Sequence, residues 1–252
     1  MTVRLRTMRI DVYLAECGEV SSRTEAKRFV EEGAVCVNGK QVTKPSFDVT
    51  GDECITVDKS VKQFVSRGGE KLNYALDEFS IDVAERLCID IGASSGGFTD
   101  CLLKRGAKHV IALDSGSGQL VDVIRKDDRV TVLENFNARY MKPSDFEYDP
   151  DLAVMDVSFI SATYVIPAVY DILSTGGEFV CLIKPQFEVG RTMLGKGGIV
   201  KDDKARNAAV SKVVDFAVTC GFCIDKTVRS PIKGGDGNIE FLAHFIKPKG
   251  DM

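Results

Sequence analysis

Residues 88–100 read C-I-D-I-G-A-S-S-G-G-F-T-D, an apolar run that stops in a glycine-rich turn and reopens as a helix. Cys88, Ile89 and Ile91 predict a buried strand and Gly92 a turn. Gly96 and Gly97 predict backbone that a ligand can approach closely, because no side chain stands in the way. The spacing is not the G-x-G-x-x-G of dinucleotide enzymes. Asp90, at the strand end, suits a cationic or hydroxyl-bearing ligand better than a pyrophosphate, which points to S-adenosylmethionine. A second acid, Asp114, closes the next apolar run, about 20 residues on, where a Rossmann-like sheet puts the group that binds ribose hydroxyls. The competing reading is a plain strand–turn–helix whose glycines serve packing; the paired acids argue against it.

The pattern downstream extends this unit. Residues 87–91, 110–113, 130–133, 152–157 and 179–183 read as buried parallel strands, with helices near 97–105, 160–172 and 202–219. Two later runs, 222–228 and 238–245, joined through Pro231 and a glycine-rich turn, predict a closing hairpin with an antiparallel edge. The expected fold is α/β, a Rossmann-like doubly wound sheet, preceded by a small α+β module. In that module Ile10, Val12, Tyr13 and Leu14, then Ala26, Phe29 and Val30, have helical spacing, with Ser21 or Ser22 as N-cap ahead of Glu25. Residues 34–42 form a hairpin around Asn38-Gly39, and 54–57 another strand. The expected division is 1–60 for the module, 61–70 for a linker and 71–252 for the α/β domain.

Eight cysteines lie singly in apolar segments, the pattern of free thiols in a reducing cytoplasm rather than of a disulfide framework. The lone C-x-x-C, Cys220 to Cys223, lacks a second pair and His109 and His244 sit in strand patterns, so no metal site is expected. No N-terminal apolar core marks a signal peptide, and no run approaches the roughly 20 apolar residues of a membrane helix, so no membrane partner is expected. The net charge of −4 argues against a global nucleic-acid-binding field. Residues 1–71 are nearly neutral, with twelve Lys plus Arg against eleven Asp plus Glu, so any RNA surface must be a local stripe. Arg23, Lys27 and Arg28 share a helix face, and Lys40 and Lys44 flank the hairpin; alone, such a triplet also reads as a solvated charged face.

Residues 190–196, G-R-T-M-L-G-K, meet the first seven places of a phosphate-binding P-loop, but the eighth is Gly197 where a hydroxyl should hold magnesium. Residues 186–198 read instead as a mobile loop beside the site. In open α/β sheets ligands collect at the carboxyl ends of parallel strands. There stand Asp156 at the end of the fourth strand and Lys184 at the end of the fifth, with Lys71 near the start of the domain and Glu240 near its end. Taken singly, each could be a strand-end cap.

Two resemblances bear on these residues. The module, with R-I-D-V-Y-L-A-E-C-G, S-S-R-T-E-A-K-R-F-V and G-A-V-C-V-N-G-K, resembles the S4 RNA-binding domain. That implies structured RNA as a partner, with Arg23, Lys27, Arg28 and Lys40, and Arg67 beyond them, as RNA contacts. The order Lys71, Asp156, Lys184, Glu240 resembles the tetrad of FtsJ-type ribose 2′-O-methyltransferases. With S-R-G-G-E-K-L, M-D-V-S-F-I-S and I-K-P-Q-F-E-V-G added, residues 8–246 resemble the TlyA family, which joins an S4 domain to an FtsJ-like domain. The resemblance implies 2′-O-methylation of cytidine in ribosomal RNA or ribosomal subunits, with S-adenosylmethionine as donor. It implies Lys184 as the base or as the stabiliser of a developing alkoxide, with Asp156 orienting it and Lys71 and Glu240 placing the ribose. The donor would lie over Gly92, Ala93, Ser94, Gly96 and Phe98, with Asp90 near its amino-acid end, Asp114 on its ribose and residues 134–137 near its adenine. Some members bear the name haemolysin, but nothing in the chain predicts pore formation. A non-catalytic ribosome-assembly factor is the other alternative, and a missing tetrad residue would have favoured it.

Overall fold

The computed structural model describes residues 7–20, 22–58 and 64–249, and the chain divides into two compact units, 1–63 and 64–252. The first unit contains β1 (Met8–Arg9), α1 (Ile10–Glu16), α2 (Arg23–Glu31), β2 (Val35–Val37), β3 (Lys40–Val42), β4 (Asp48–Val49) and β5 (Ile55–Val57). Ser22 caps α2 by accepting the Glu25 N–H at 3.2 Å, while Ser21 lies outside the described residues. Asn38 and Gly39 take φ of 50° and 76°, the left-handed pair that lets β2 and β3 pair from Val35↔Val42 to Val37↔Lys40. β5 pairs with the other edge of β2. The two-residue ladder of β1 with β4 is too short to leave a periodicity in the sequence. Ile10, Leu14, Ala26, Phe29, Val30 and Val35 form the core of this unit.

The second unit begins at Phe64, so residues 64–70, expected in the linker, belong to it; residues 61–63 lie outside the described residues. Gly68 and Gly69 lie in the first turn of α3 (Arg67–Glu78) and allow close packing there. A Cβ on Gly69 would collide with the buried ring of Phe64. The chain continues through β6 (Leu87–Ile91), α4 (Gly97–Lys104), β7 (His109–Leu113), α5 (Asp122–Arg125), β8 (Val130–Leu133) and β9 (Leu152–Met155). It then runs through α6 (Ile166–Ile172), β10 (Glu178–Ile183), α7 (Pro185–Glu188), α8 (Asp203–Thr219), β11 (Cys223–Arg229) and β12 (Phe241–Ile246).

Seven strands form one sheet in the order β11-β12-β10-β9-β6-β7-β8, with β10, β9, β6, β7 and β8 parallel and β12 antiparallel to both its neighbours. The expected closing hairpin is present, with antiparallel pairing at the sheet edge: β12 is interior and β11 takes the edge. The sequences explain this. F-L-A-H-F-I buries its four central residues, whereas C-I-D-K-T-V-R is largely exposed and tolerates an edge. The sheet has a core on each face. Leu72, Leu76, Leu102, Cys88 and Val110 pack on one; Ile89, Ile111, Ile166, Phe179 and Phe222 pack on the other. All eight cysteines are free.

Candidate active site

The carboxyl ends of β6, β7, β9 and β10 frame the site. Beyond β6 the chain turns at Gly92, φ +88°, where a Cβ would stand 2.6 Å from the Asp156 carbonyl oxygen. Only glycine allows the loops after β6 and β9 to meet this closely. Asp156 is the first residue past β9. Lys184 is the first past β10 and the N-cap of α7, with Pro185 at N1 ending the strand and starting the turn. The Lys184 ammonium forms an ion pair with Asp156 and donates to Ser158 Oγ at 2.6 Å.

Lys71, on α3, and Glu240, just ahead of β12, are 169 residues apart in sequence and meet at 2.5 Å. Their side chains are only 9% and 3% exposed. A carboxylate this buried needs its cation, and Lys71 is thereby held in one rotamer. Gly234 covers the pair; a Cβ there would stand 2.9 Å from Glu240 Cδ. Lys71, Asp156 and Lys184 line one hollow of about 170 Å³, with Ser158, Gly92 and Ser94 also on its wall. Glu240 does not line it but supports Lys71.

A larger cavity of about 650 Å³ adjoins the hollow and shares Gly92, Ser94, Asp156 and Ser158 with it. Its far wall carries Asp114, Phe136 and Asn137. Asp114 accepts the Ser94 N–H at 2.8 Å and the Gly116 N–H at 2.7 Å, so backbone fixes its carboxylate at the cavity edge. Of the residues expected at the donor, Gly92, Ser94 and Asp114 line this cavity, and Ala93 and Phe98 line the smaller hollow.

Two expected residues lie elsewhere. Gly96, φ +93°, lines neither space; its missing side chain makes room for Leu120 and Ile124. Asp90 is fully buried and lines neither space. Its Oδ2 accepts the Thr99 N–H at 2.9 Å and the Thr99 hydroxyl at 2.6 Å. Burial pushes its carboxyl up to about 7, against the pull of those hydrogen bonds. Glu134 also turns away: it pairs with Arg125 and accepts the Gly118 N–H at 2.9 Å, leaving Phe136 and Asn137 at the cavity.

On the first unit, Arg23, Lys27 and Lys40 are exposed. Arg23 also donates to the buried Asp11 at 3.1 Å. Arg28 departs from their face: its side chain is 18% exposed, 3.8 Å from Glu32 and over the Phe29 ring. In the second unit Arg67 donates to the Lys233 carbonyl at 2.9 Å. The loop after residue 190 forms two short 3₁₀ turns, Arg191–Met193 and Lys196–Gly198, clasped by the buried Asn238, which bonds Gly198 O and the Val200 N–H.

Sequence reasoning missed Ser158 and Phe159, which the structure places on the walls of the hollow and the larger cavity. Ser158 and Phe159 directly follow the strand-end Asp156 in M-D-V-S-F, and that adjacency was the signal available. Phe159 is 91% exposed at the cavity mouth with φ of 65°, an uncommon conformation for an aromatic residue.

The family of FtsJ-like methyltransferases matches residues 64–247, and the S4 domain matches residues 8–54. Hemolysin A of Brachyspira hyodysenteriae is 47% identical over 95% of this chain and 100% of its own. The 16S/23S rRNA (cytidine-2′-O)-methyltransferase TlyA of Mycobacterium tuberculosis is 42% identical over 94% of this chain and 89% of its own. The chain belongs to the TlyA family of FtsJ-like methyltransferases. A solved Streptococcus thermophilus structure, provisionally named a hemolysin, superposes with a TM-score of 0.76 at 43% identity, covering 98% of this chain and 92% of that one. The TlyA-family chain is an S-adenosylmethionine-dependent methyltransferase. The larger cavity fits that cofactor: its volume falls within the roughly 300–1,000 Å³ of small-molecule sites. Asp114 offers an acceptor for ribose hydroxyls, and Phe136 with Asn137 offers an apolar face and an amide for a base. Among the described residues no helix is long and apolar enough to cross a membrane.

Proposed function

We propose that this protein transfers the methyl group of S-adenosylmethionine to a ribose 2′-hydroxyl of ribosomal RNA, with cytidine as the target nucleotide. Ribosomal RNA within a ribosomal subunit is the partner, and the cytoplasm is the place of action. The observation that carries this reading is the hollow holding Lys71, Asp156, Lys184 and Ser158 against the donor cavity, with four residues common to both. A TlyA relative is named for transfer to cytidine 2′-oxygens in 16S and 23S rRNA, and the S4 match supports RNA as the substrate.

The chemistry asks little else of the protein. The cofactor, when bound, supplies an electrophilic methyl group. A sugar hydroxyl is a weak nucleophile, so the site must hold it in line and stabilise the negative charge that grows as its proton leaves. Lys184 has three donors; Ser158 takes one and Asp156 balances the charge as its ion-pair partner, so a donor remains for the ribose oxygen. The Asp156 carboxylate, in the same hollow, is an acceptor for the departing proton. Lys71, fixed by Glu240, binds the sugar or an adjoining phosphate oxygen. Phe159, exposed at the mouth, offers a face on which an unstacked base can rest.

The test incubates the protein with purified ribosomal subunits and methyl-tritiated donor, followed by nuclease digestion and separation of nucleosides. Label in 2′-O-methylcytidine with wild type, lowered at least a thousandfold in Lys184→Ala, is the expected result. Label on a base, or none in RNA, would overturn the reading; label in another 2′-O-methylnucleoside would overturn the choice of cytidine alone.

A further inference from the structure

The run I-K-P-Q-F-E-V-G supplies Lys184 to the reaction, yet its glutamate touches neither the hollow nor the donor cavity. Glu188 lies at the end of α7 with its side chain 2% exposed, and both carboxylate oxygens reach another segment. Oε1 accepts the Ala162 N–H at 2.7 Å and Oε2 accepts the Ser161 hydroxyl at 2.6 Å. Lys212, on α8, donates to Oε2 at 3.2 Å and to the Glu188 carbonyl at 3.1 Å, so the buried charge is paired as well as hydrogen-bonded.

The segment that Glu188 grips starts at Asp156 and includes Ser158, the two partners of Lys184. Cross-strand register between β9 and β10 ends at Met155↔Cys181. Beyond it the β9 loop must turn through Phe159 at φ of 65°, a conformation that persists only where the surroundings impose it. Ser161 and Ala162 come right after that turn. Glu188 therefore ties the far end of the loop bearing Asp156 and Ser158 to the helical turn bearing Lys184.

We propose that Glu188 is a positioning residue: its clamp on Ser161 and Ala162 holds the loop of residues 156–162 against the turn of residues 184–188, and so sets the Lys184 ammonium between Asp156 and Ser158. As a statement about rate this rests on the 2′-O-methyltransferase reading above; as a statement about geometry it does not. Glu188→Gln keeps an amide oxygen for Ala162 but loses the ion pair with Lys212. Glu188→Ala loses every contact of the carboxylate.

The test has two arms. In the first, single-turnover methyl transfer, its pH dependence and donor affinity are measured for wild type, Glu188→Gln, Glu188→Ala and Ser161→Ala, the last removing the hydroxyl that bonds Glu188 and Thr163 should Glu188→Ala fail to fold. The expected result is a loss of about a hundredfold for Glu188→Ala, the scale on which small misplacements act, with a shifted pH–rate profile and donor Kd within about twofold. Substantial rescue is expected in Glu188→Gln, and a loss of about fivefold in Ser161→Ala. The second arm is a crystal structure of Glu188→Gln and of Ser161→Ala, in which the Lys184 ammonium is expected to leave Ser158 Oγ in at least one. Unchanged Lys184 geometry in both would overturn the proposal whatever the activity. So would rates falling only in proportion to donor affinity or folded fraction, with the pH profile intact. Wild type that transfers no methyl to ribose would sink the functional reading and leave the crystallographic arm to judge the clamp.

Discussion

Asp90 and Asp114 both follow apolar strand residues and both precede glycine-bearing turns, yet they have opposite surroundings. The two-residue period of β6 puts Asp90 on the same face as Cys88, under α3 and α4, while Ile89 and Ile91 face the other core. Asp114 lies one residue beyond β7, its N–H still bonded to Leu133 on β8, and its side chain lines the cavity. Burial raises the Asp90 carboxyl to about 7, with the neighbouring Asp156 and Asp114 charges pushing the same way. The sign of the pH effect follows. Between about pH 4, where the unfolded side chain ionises, and about pH 7, the folded chain retains a proton that the unfolded chain has lost. This residue therefore lowers stability as pH rises through that window and adds no further slope above it. Asp90→Asn keeps an acceptor for Thr99 and removes the titration. Urea unfolding at pH 5 and pH 8 is expected to show the variant gaining on wild type by on the order of 2 kcal/mol at the higher pH. Equal pH dependence in both proteins would mean that Asp90 is ionised when folded.

Glycines raise the same issue between elements. Gly96 and Gly97 both promise ligand room when read along the chain, but in the fold Gly96 accommodates α5, whereas Gly97 lines the smaller hollow and also packs against the start of α3. A Cβ on Gly97 would stand 3.0 Å from the Gly69 nitrogen and 3.3 Å from the Gly68 Cα, and backbone cannot yield as a side-chain tip can. Gly97→Ala is thus expected to destabilise the protein by about 1–3 kcal/mol, the cost of overpacking. Activity should fall as well, because the displaced helix carries Lys71. A denaturation midpoint equal to that of wild type, measured alongside methyl transfer, would count against this packing account. β12 offers a parallel case. Its apolar stretch is plain in the sequence, but its insertion beside β10 rather than at the edge is a choice between two pairings, decided by which strand buries both faces.

At the scale of the molecule, the chain pairs an S4 domain with a methyltransferase of the FtsJ-like family, each with its own core. If the front unit holds RNA through Lys27 and Lys40, reversing both charges should weaken RNA binding in every sequence context. Each lost phosphate contact should also flatten the salt dependence of log K by about 0.7–0.9. Donor affinity should stay as it is. Titrations of rRNA fragments at several salt concentrations check this, and an unchanged slope would move the RNA surface elsewhere. By itself the sequence determined the strand–helix alternation, the Asn38-Gly39 hairpin and which strand ends carry Asp156 and Lys184, since local pattern and backbone preference act over a few residues. The tertiary structure alone decided that Lys71 meets Glu240 from 169 positions away, that Ser158 and Asp156 flank Lys184, and that Asp90 lies beneath a helix rather than before a ligand. Those outcomes depend on which strand lies beside which and which face a side chain takes, and packing of the whole sheet settles both.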